Sequence, residues 1–272
     1  MMWTDKDIQT GWKFPSNIDT WVNEWEKRNE MYPITENQID EFLFVSDEID
    51  KKGYCILKDV FNKDDITNLY EKTKHYFKDG EKHSFVKQPL INSPEILPFV
   101  FNDYMIQIAT SYLKCYPAIG TLNFRKSYVT GLPEDGVQLF HIDPNSPRFL
   151  KFFIYLNDVD ENGGPFQIVE GSHKELYSNR YDKHRWSLKD IEDTYGKDKV
   201  KSLTASMGDM IVATTNCFHR GKPPINSERT MLTLNYVIHP EEFREPTFQI
   251  KQSDVDSLED YKKPLTDFLI KV

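Results

Sequence analysis

From Pro117 onward the chain is written in short apolar runs cut by Gly, Pro and Asn turns. The runs fall near 119–128, 137–143, 149–156, 165–169, 200–206, 209–215 and 230–238. Each has the length of a strand and is too short for a core helix. A succession of such strands predicts a sandwich or jelly roll. Before Pro117 the spacing is helical. Thr35-Glu36-Asn37-Gln38 reads as a capping box opening a helix with Ile39, Phe42, Leu43 and Ile49 inward, closed near Gly53. Tyr54 to Leu57 reads as a strand. Asn62 caps a second helix carrying Ile66, Leu69, Tyr70, Thr73 and Phe77, and a further helix lies between Glu95 and Leu113. The expected fold class is α+β: a jelly-roll (double-stranded β-helix) core with N-terminal helices packed outside.

Trp3, Trp12, Trp21 and Trp25 are four of the 5 tryptophans, and Ile18, Trp21, Val22 and Trp25 form an apolar stripe at helical spacing. Residues 1–34 are read as a Trp-rich extension with a short helix packed on the main domain; a dimer contact or a substrate lid is the other reading. Residues 35–272 are read as a single domain. A formal net charge of -9 argues against nonspecific nucleic-acid binding and against an anionic membrane surface. The 3 cysteines, Cys55, Cys115 and Cys217, are widely spaced and odd in number, which disfavours disulfide scaffolds and zinc clusters. The N-terminus lacks a basic-then-apolar leader, and no apolar run approaches the ~18 residues of a membrane span. A reducing cytoplasm is expected; oligomeric state is left open.

Chemistry concentrates at His141-Ile142-Asp143. On a strand, residues two apart share a face, so His141 and Asp143 point toward one cation. His219, which follows the Gly208-Asp209 turn and an apolar run, is chosen from the 7 histidines as a third ligand. Two imidazoles and one carboxylate form the facial triad of non-haem ferrous sites, with three positions left open. Arg229 opens a buried strand and needs an anionic partner there. Either a protein carboxylate such as Asp209 or a dicarboxylate cosubstrate would supply it. His173 is expected to hydrogen-bond its own loop. His75, His83, His184 and His239 lack a ligand-like context.

These residues occur in an order that resembles the phytanoyl-CoA dioxygenase-like Fe(II)/2-oxoglutarate oxygenases. The resemblance runs over roughly residues 35–240. It joins Lys52-Gly53-Tyr54-Cys55-Ile56-Leu57, His141-Ile142-Asp143, Asn157-Asp158-Val159-Asp160-Glu161-Asn162-Gly163-Gly164-Pro165, Gly171-Ser172-His173, Gly208-Asp209, His219 and Arg229. It implies Fe(II) on His141, Asp143 and His219, 2-oxoglutarate with its far carboxylate on Arg229, and O2 at the remaining position. It implies hydroxylation of an unactivated C–H, with release of succinate and CO2. Asp143 favours hydroxylation over halogenation, because related halogenases lack this carboxylate. The chain departs from the family pattern at Glu170, where a proline usually precedes Gly-Ser-His, and at Gly221, where a hydroxyl residue often helps hold 2-oxoglutarate. Asn123 and Thr233 are candidates for further cosubstrate contacts. The rivals are desaturation, cyclisation or epimerisation on the same site, a non-catalytic jelly-roll binding protein, and a metal oxygenase without 2-oxoglutarate.

Arg125, Lys126, Arg148 and Lys151 hint at an anionic small-molecule substrate: a carboxylate, phosphate or phosphonate. The polar stretch from Lys174 to Lys199, with Arg180, Lys183, His184, Arg185 and Lys189, is either a solvated charged insertion or a mobile cover that contacts the substrate.

Overall fold

The computed structural model describes residues 18–40, 42–79, 81–143, 148–174, 185–239 and 248–272. Helices come first: α1 (Ile18–Met31), α2 (Glu36–Asp40) and α3 (Leu43–Lys52), then strand β1 (Tyr54–Leu57) and helix α4 (Lys63–Thr73). Strand β2 (His83–Phe85) and helix α5 (Asp103–Leu113) lead into the strand-rich region. That region holds β3 (Ala118–Ser127), β4 (Phe149–Tyr155), β5 (Phe166–Val169), helix α6 (Leu188–Tyr195), β6 (Val200–Leu203), β7 (Met210–Ala213), β8 (His219–Gly221) and β9 (Arg229–Val237).

The local signals act as the sequence suggests. The Asn62 side chain accepts a hydrogen bond from the Asp64 N–H at 2.8 Å and starts α4. Gly53 ends α3 in the left-handed region, at φ 93°, and its N–H bonds the Ile49 carbonyl. A side chain there would also collide with Cys217 Sγ, 2.3 Å from the Cβ position. The first expected helix is broken into α2 and α3, and Leu43 is exposed rather than inward. Phe42 and Ile49 carry the burial instead.

The strands form a six-stranded antiparallel sheet, in the order β1-β7-β4-β9-β3-β2, and a three-stranded sheet, β6-β5-β8. Alternation sorts the side chains of the large sheet. Leu150, Phe152 and Ile154 of β4, with Leu232, Leu234 and Tyr236 of β9, enter the core shared with the helices. Phe153 and Tyr155, with Ile211 and Met231, face the other way and meet Phe166, Ile168 and Leu203 of the small sheet. The two sheets thus close over one another as a jelly roll, with the helices covering one outer face.

Two expectations are corrected. Residues 137–143 are not a strand: Gly136–Gln138 form a single 3-10 turn, and only Phe140 and His141 pair, as isolated bridges to Trp186 and His219. The turn shortens the extended stretch to the residues that have a partner. Residues 174–199 are not one structureless polar insertion. Residues 175–184, including Arg180, Lys183 and His184, lie outside the described residues, but the rest folds. Ser187 caps α6, and Trp186, Leu188, Ile191 and Tyr195 pack on Phe140, Ile142, Val169, Val200 and Phe218. Apolar residues at helical spacing give this segment a buried face.

Helix α1 lies against the main body through Val22 and Trp25. Trp3 and Trp12 fall outside the described residues. The anchor is Arg28, which is 1% exposed. It donates to the Pro117 carbonyl at 3.1 Å and to Asp267 at 3.0 Å, and it pairs with Glu24 at 3.2 Å. No helix among the described residues is long and apolar enough to cross a membrane.

Arg28→Ala strands Glu24 and Asp267 and opens a gap beneath α1. We expect a loss of about 2–3 kcal/mol in urea unfolding, below the larger values for fully buried pairs because Asp267 is partly exposed. A change under about 0.5 kcal/mol, the usual scatter of surface substitutions, would show that α1 is not anchored there.

Candidate metal centre

Backbone pairing places the two histidines. The His141 N–H bonds the His219 carbonyl, and the His219 N–H bonds the His141 carbonyl, both at 2.9 Å. Their rings then stand 4.2 Å apart, centroid to centroid. The Asp143 N–H donates to the Thr215 carbonyl at 3.0 Å, which holds the carboxylate on the same side. His141 Nε2 lies 3.8 Å from Asp143 Oδ1, and His219 Nε2 lies 3.4 Å from Asp143 Oδ2. One ligand atom from each of the three residues falls within 4.8 Å of the others.

The ring tautomers follow from the neighbours. Nδ1 of His141 is 2.9 Å from the Leu139 carbonyl, and Nδ1 of His219 is 2.9 Å from the Cys217 carbonyl. A carbonyl only accepts, so each Nδ1 carries the proton and each Nε2 presents a lone pair to the shared space. Burial, reinforced by His219, lowers the His141 pKa to about 3, so the ring stays neutral at ordinary pH. Burial would raise Asp143, but the charge of Lys151 and then His219 outweigh it and hold the carboxyl well below its usual range. Two imidazole nitrogens and an ionised carboxylate are a donor set for a first-row divalent cation. The residues therefore fit a ferrous ion.

Arg229 reaches the strand that carries His219. Gly221 is two residues beyond His219 on β8, so the two share a face about 7 Å apart. A Cβ on Gly221 would sit 3.0 Å from Arg229 Nη2 and 3.7 Å from Arg125 Nη2. The absence of a side chain lets both guanidinium groups approach the strand. This accounts for the departure seen at that position. Arg229 is 1% exposed, and among the described residues its one side-chain hydrogen bond is Nη2 to Ser127 Oγ at 3.4 Å. Its Nε and Nη1 are buried without a hydrogen-bond partner. Asp209, the protein carboxylate considered for it, is engaged elsewhere: Lys58 at 2.7 Å and the N–H groups of Asp59 and Ser206. Buried charges are normally paired. A buried guanidinium with two nitrogens unpartnered among the described residues is suited to pair with a carboxylate.

The remaining candidates fall on the same face of the sheet. Asn123 pairs in register with Thr233, and Arg125 with Met231. Thr233 is buried with its Oγ1 unpartnered, whereas Asn123 is exposed. Arg125 is a better-placed neighbour of Arg229 than Asn123. Its position two residues along β3 from Asn123 was the available signal. Ser127, one step further on that face, and His83, whose Nδ1 lies 3.0 Å from Ser127 Oγ, had no recognisable pattern. Burial, then Arg125 and Arg229, lower His83 to about 4, so it adds no charge. Of the other basic residues, Lys126 is held by Glu228 and Arg148 stacks on Tyr112. His173 reaches beyond its loop, to Cys217 Sγ and the Asp50 carbonyl.

Fold and site together give a jelly-roll core that carries a His–Asp–His cluster able to hold a divalent cation. Residues 131–230 match the family described as Phytanoyl-CoA dioxygenase (PhyH). The matched stretch contains His141, Asp143, His219 and Arg229, and over it the chain is similar to that family. Solved structures share the fold. SnoN, a non-heme alpha ketoglutarate dependent epimerase from nogalamycin biosynthesis, is 15% identical with a TM-score of 0.58, covering 73% of this chain and 83% of its own. SnoK, a carbocyclase from the same biosynthesis, is 16% identical with a TM-score of 0.52, covering 77% and 85%. HygX from Streptomyces hygroscopicus, with nickel, 2-oxoglutarate and hygromycin B bound, is 15% identical with a TM-score of 0.56, covering 81% and 92%. No curated protein sequence matches the chain.

An unpaired buried cation costs stability that function retains. Arg229→Met fills similar volume without the charge, and we expect it to stabilise the ligand-free protein by about 1–3 kcal/mol in urea unfolding. A clear destabilisation would show that Arg229 is already neutralised within the fold.

Proposed function

We propose that the chain is an Fe(II)- and 2-oxoglutarate-dependent oxygenase that hydroxylates an unactivated C–H of a small molecule. The observation that carries this is the pairing of a His141–Asp143–His219 cluster with a buried Arg229 whose Nε and Nη1 have no partner. A metal site alone fits many roles. A metal site with a buried guanidinium reaching the strand position two residues beyond His219 fits a cation plus a short dicarboxylate.

His141 and His219 would donate through Nε2, and Asp143 through one carboxylate oxygen. Their shared side leaves three positions open, as a facial triad requires. When bound, iron and 2-oxoglutarate supply oxidation by O2, with succinate and CO2 as coproducts. Arg229 would hold the far carboxylate, and Arg125 would add positive charge beside it. Thr233 offers a hydroxyl on the same face. Phe153 and Phe166, whose rings lie 4.4 Å apart, wall the cavity beside His219 and exclude water. The surplus of basic groups on this face favours an anionic substrate. The shared fold of an epimerase and a carbocyclase makes product analysis part of the test.

The experiment is a small-molecule screen scored by succinate release with Fe(II), 2-oxoglutarate and O2, followed by identification of the oxidised product. His141→Ala should abolish both Mn2+ binding and succinate formation with the fold retained by circular dichroism. Arg229→Lys should raise the 2-oxoglutarate KM more than tenfold, because a point charge cannot reproduce the fork. Failure of the wild-type protein to bind 2-oxoglutarate in the presence of Mn2+ would reject the reading. A product that is epimerised or cyclised would replace hydroxylation and keep the cofactors.

A further inference from the structure

We propose that Lys151 anchors the substrate by an anionic oxygen group, a carboxylate or a phosphate, and holds it beside the metal ligand Asp143. This rests on the oxygenase reading of the same site. Lys151 lies on β4, in register with Asn235 of β9 and Ala213 of β7. Its ammonium is hydrogen-bonded to Asp143 Oδ2, its only hydrogen-bond partner among the described residues. An ammonium has three donors, so two remain for an oxyanion. The buried Asn235 Oδ1 at its side is also without a partner.

Exposure shows which side of the centre is open. The side chains of Asp143 and Lys151 are 20% and 15% exposed, against 9% for His141 and 6% for His219. A substrate entering the site meets Lys151 and Asp143 before it meets the imidazoles. Arg229, by contrast, is closed off and reserved for the cosubstrate.

Charge points the same way. Among the described residues of β3, β4 and β9, three cationic side chains, Arg125, Arg229 and Lys151, lie on the sheet face beside the Asp143 carboxylate, and Arg185 adds positive charge near His141. A divalent cation and a cosubstrate dianion cancel one another. Two positive charges are then left in a largely dehydrated space, which is costly unless an anion joins them. Arg125 is next to Arg229 and shares the cosubstrate carboxylate. Lys151 is the cation that faces the remaining space. Its bond to Asp143 fixes the anion one residue from the metal, which sets how deeply the rest of the substrate reaches.

The test uses the full chain loaded with Mn2+ and 2-oxoglutarate. The probes are inorganic phosphate, followed by 31P relaxation, and [1-13C]acetate, followed by 13C relaxation. Bound Mn2+ speeds the relaxation of an anion held close to it. We expect enhancement for at least one probe in the wild type, at least a fivefold loss in Lys151→Met, and recovery to within twofold of wild type in Lys151→Arg. The responding probe tells phosphate from carboxylate. 2-Oxoglutarate affinity should change less than twofold in both variants, which a folding defect would not permit. Equal enhancement in wild type and Lys151→Met, or none with either probe while Mn2+ and 2-oxoglutarate bind, would overturn the assignment and leave the oxygenase reading intact. Absence of Mn2+ binding by the wild type would overturn both.

Discussion

The reciprocal backbone bond between His141 and His219 is the constraint on which the site depends. Two hydrogen bonds of 2.9 Å join residues separated by most of the small sheet's connectivity. They fix both Cα positions before any metal is present. The Nδ1 bonds to carbonyls two residues back then fix both rings. A site assembled this way needs no side-chain rearrangement to accept a cation, so little ordering entropy opposes binding.

The rest of the molecule keeps that pair in place. β5 lies beside β8 and carries Phe166 and Ile168, which press on the large sheet through Phe153 and Tyr155. Gly53 ends α3 against Cys217, two residues before His219. His173 bonds the same Cys217 and the backbone of α3. The helices therefore brace the outer side of the loop that delivers His219. The departure from the usual hydroxyl at Gly221 fits this picture. The missing side chain on β8 admits two arginines to the strand.

Much of this was legible in the residues, for local reasons. Asn62 and Gly53 act within one helical turn, so their roles need no tertiary information. The i, i+2 rule placed His141 and Asp143 on one side even though 137–143 is not a regular strand, because a single extended bridge suffices for alternation. Composition misled at 174–199, where polar residues hid the helical spacing of Leu188, Ile191 and Tyr195, next to the partly buried Trp186. Helical spacing overestimated Leu43, whose burial depended on where α2 breaks from α3.

By itself, the sequence determined which side chains share a face: 123, 125 and 127 on one strand, 229, 231, 233 and 235 on another, and the ligand pair around Ile142. Those are consequences of covalent geometry and periodicity. Only the tertiary structure decided who meets across strands. Asp209 could have neutralised Arg229, but Lys58 and two backbone N–H groups hold it at the far turn, and the guanidinium is left open. Lys151 meets Asp143 because β4 pairs with β7, just beyond which Thr215 holds Asp143, and Arg125 meets Arg229 because β3 pairs with β9. Pairing order comes from how the whole hydrophobic core closes, and no short stretch of sequence encodes it.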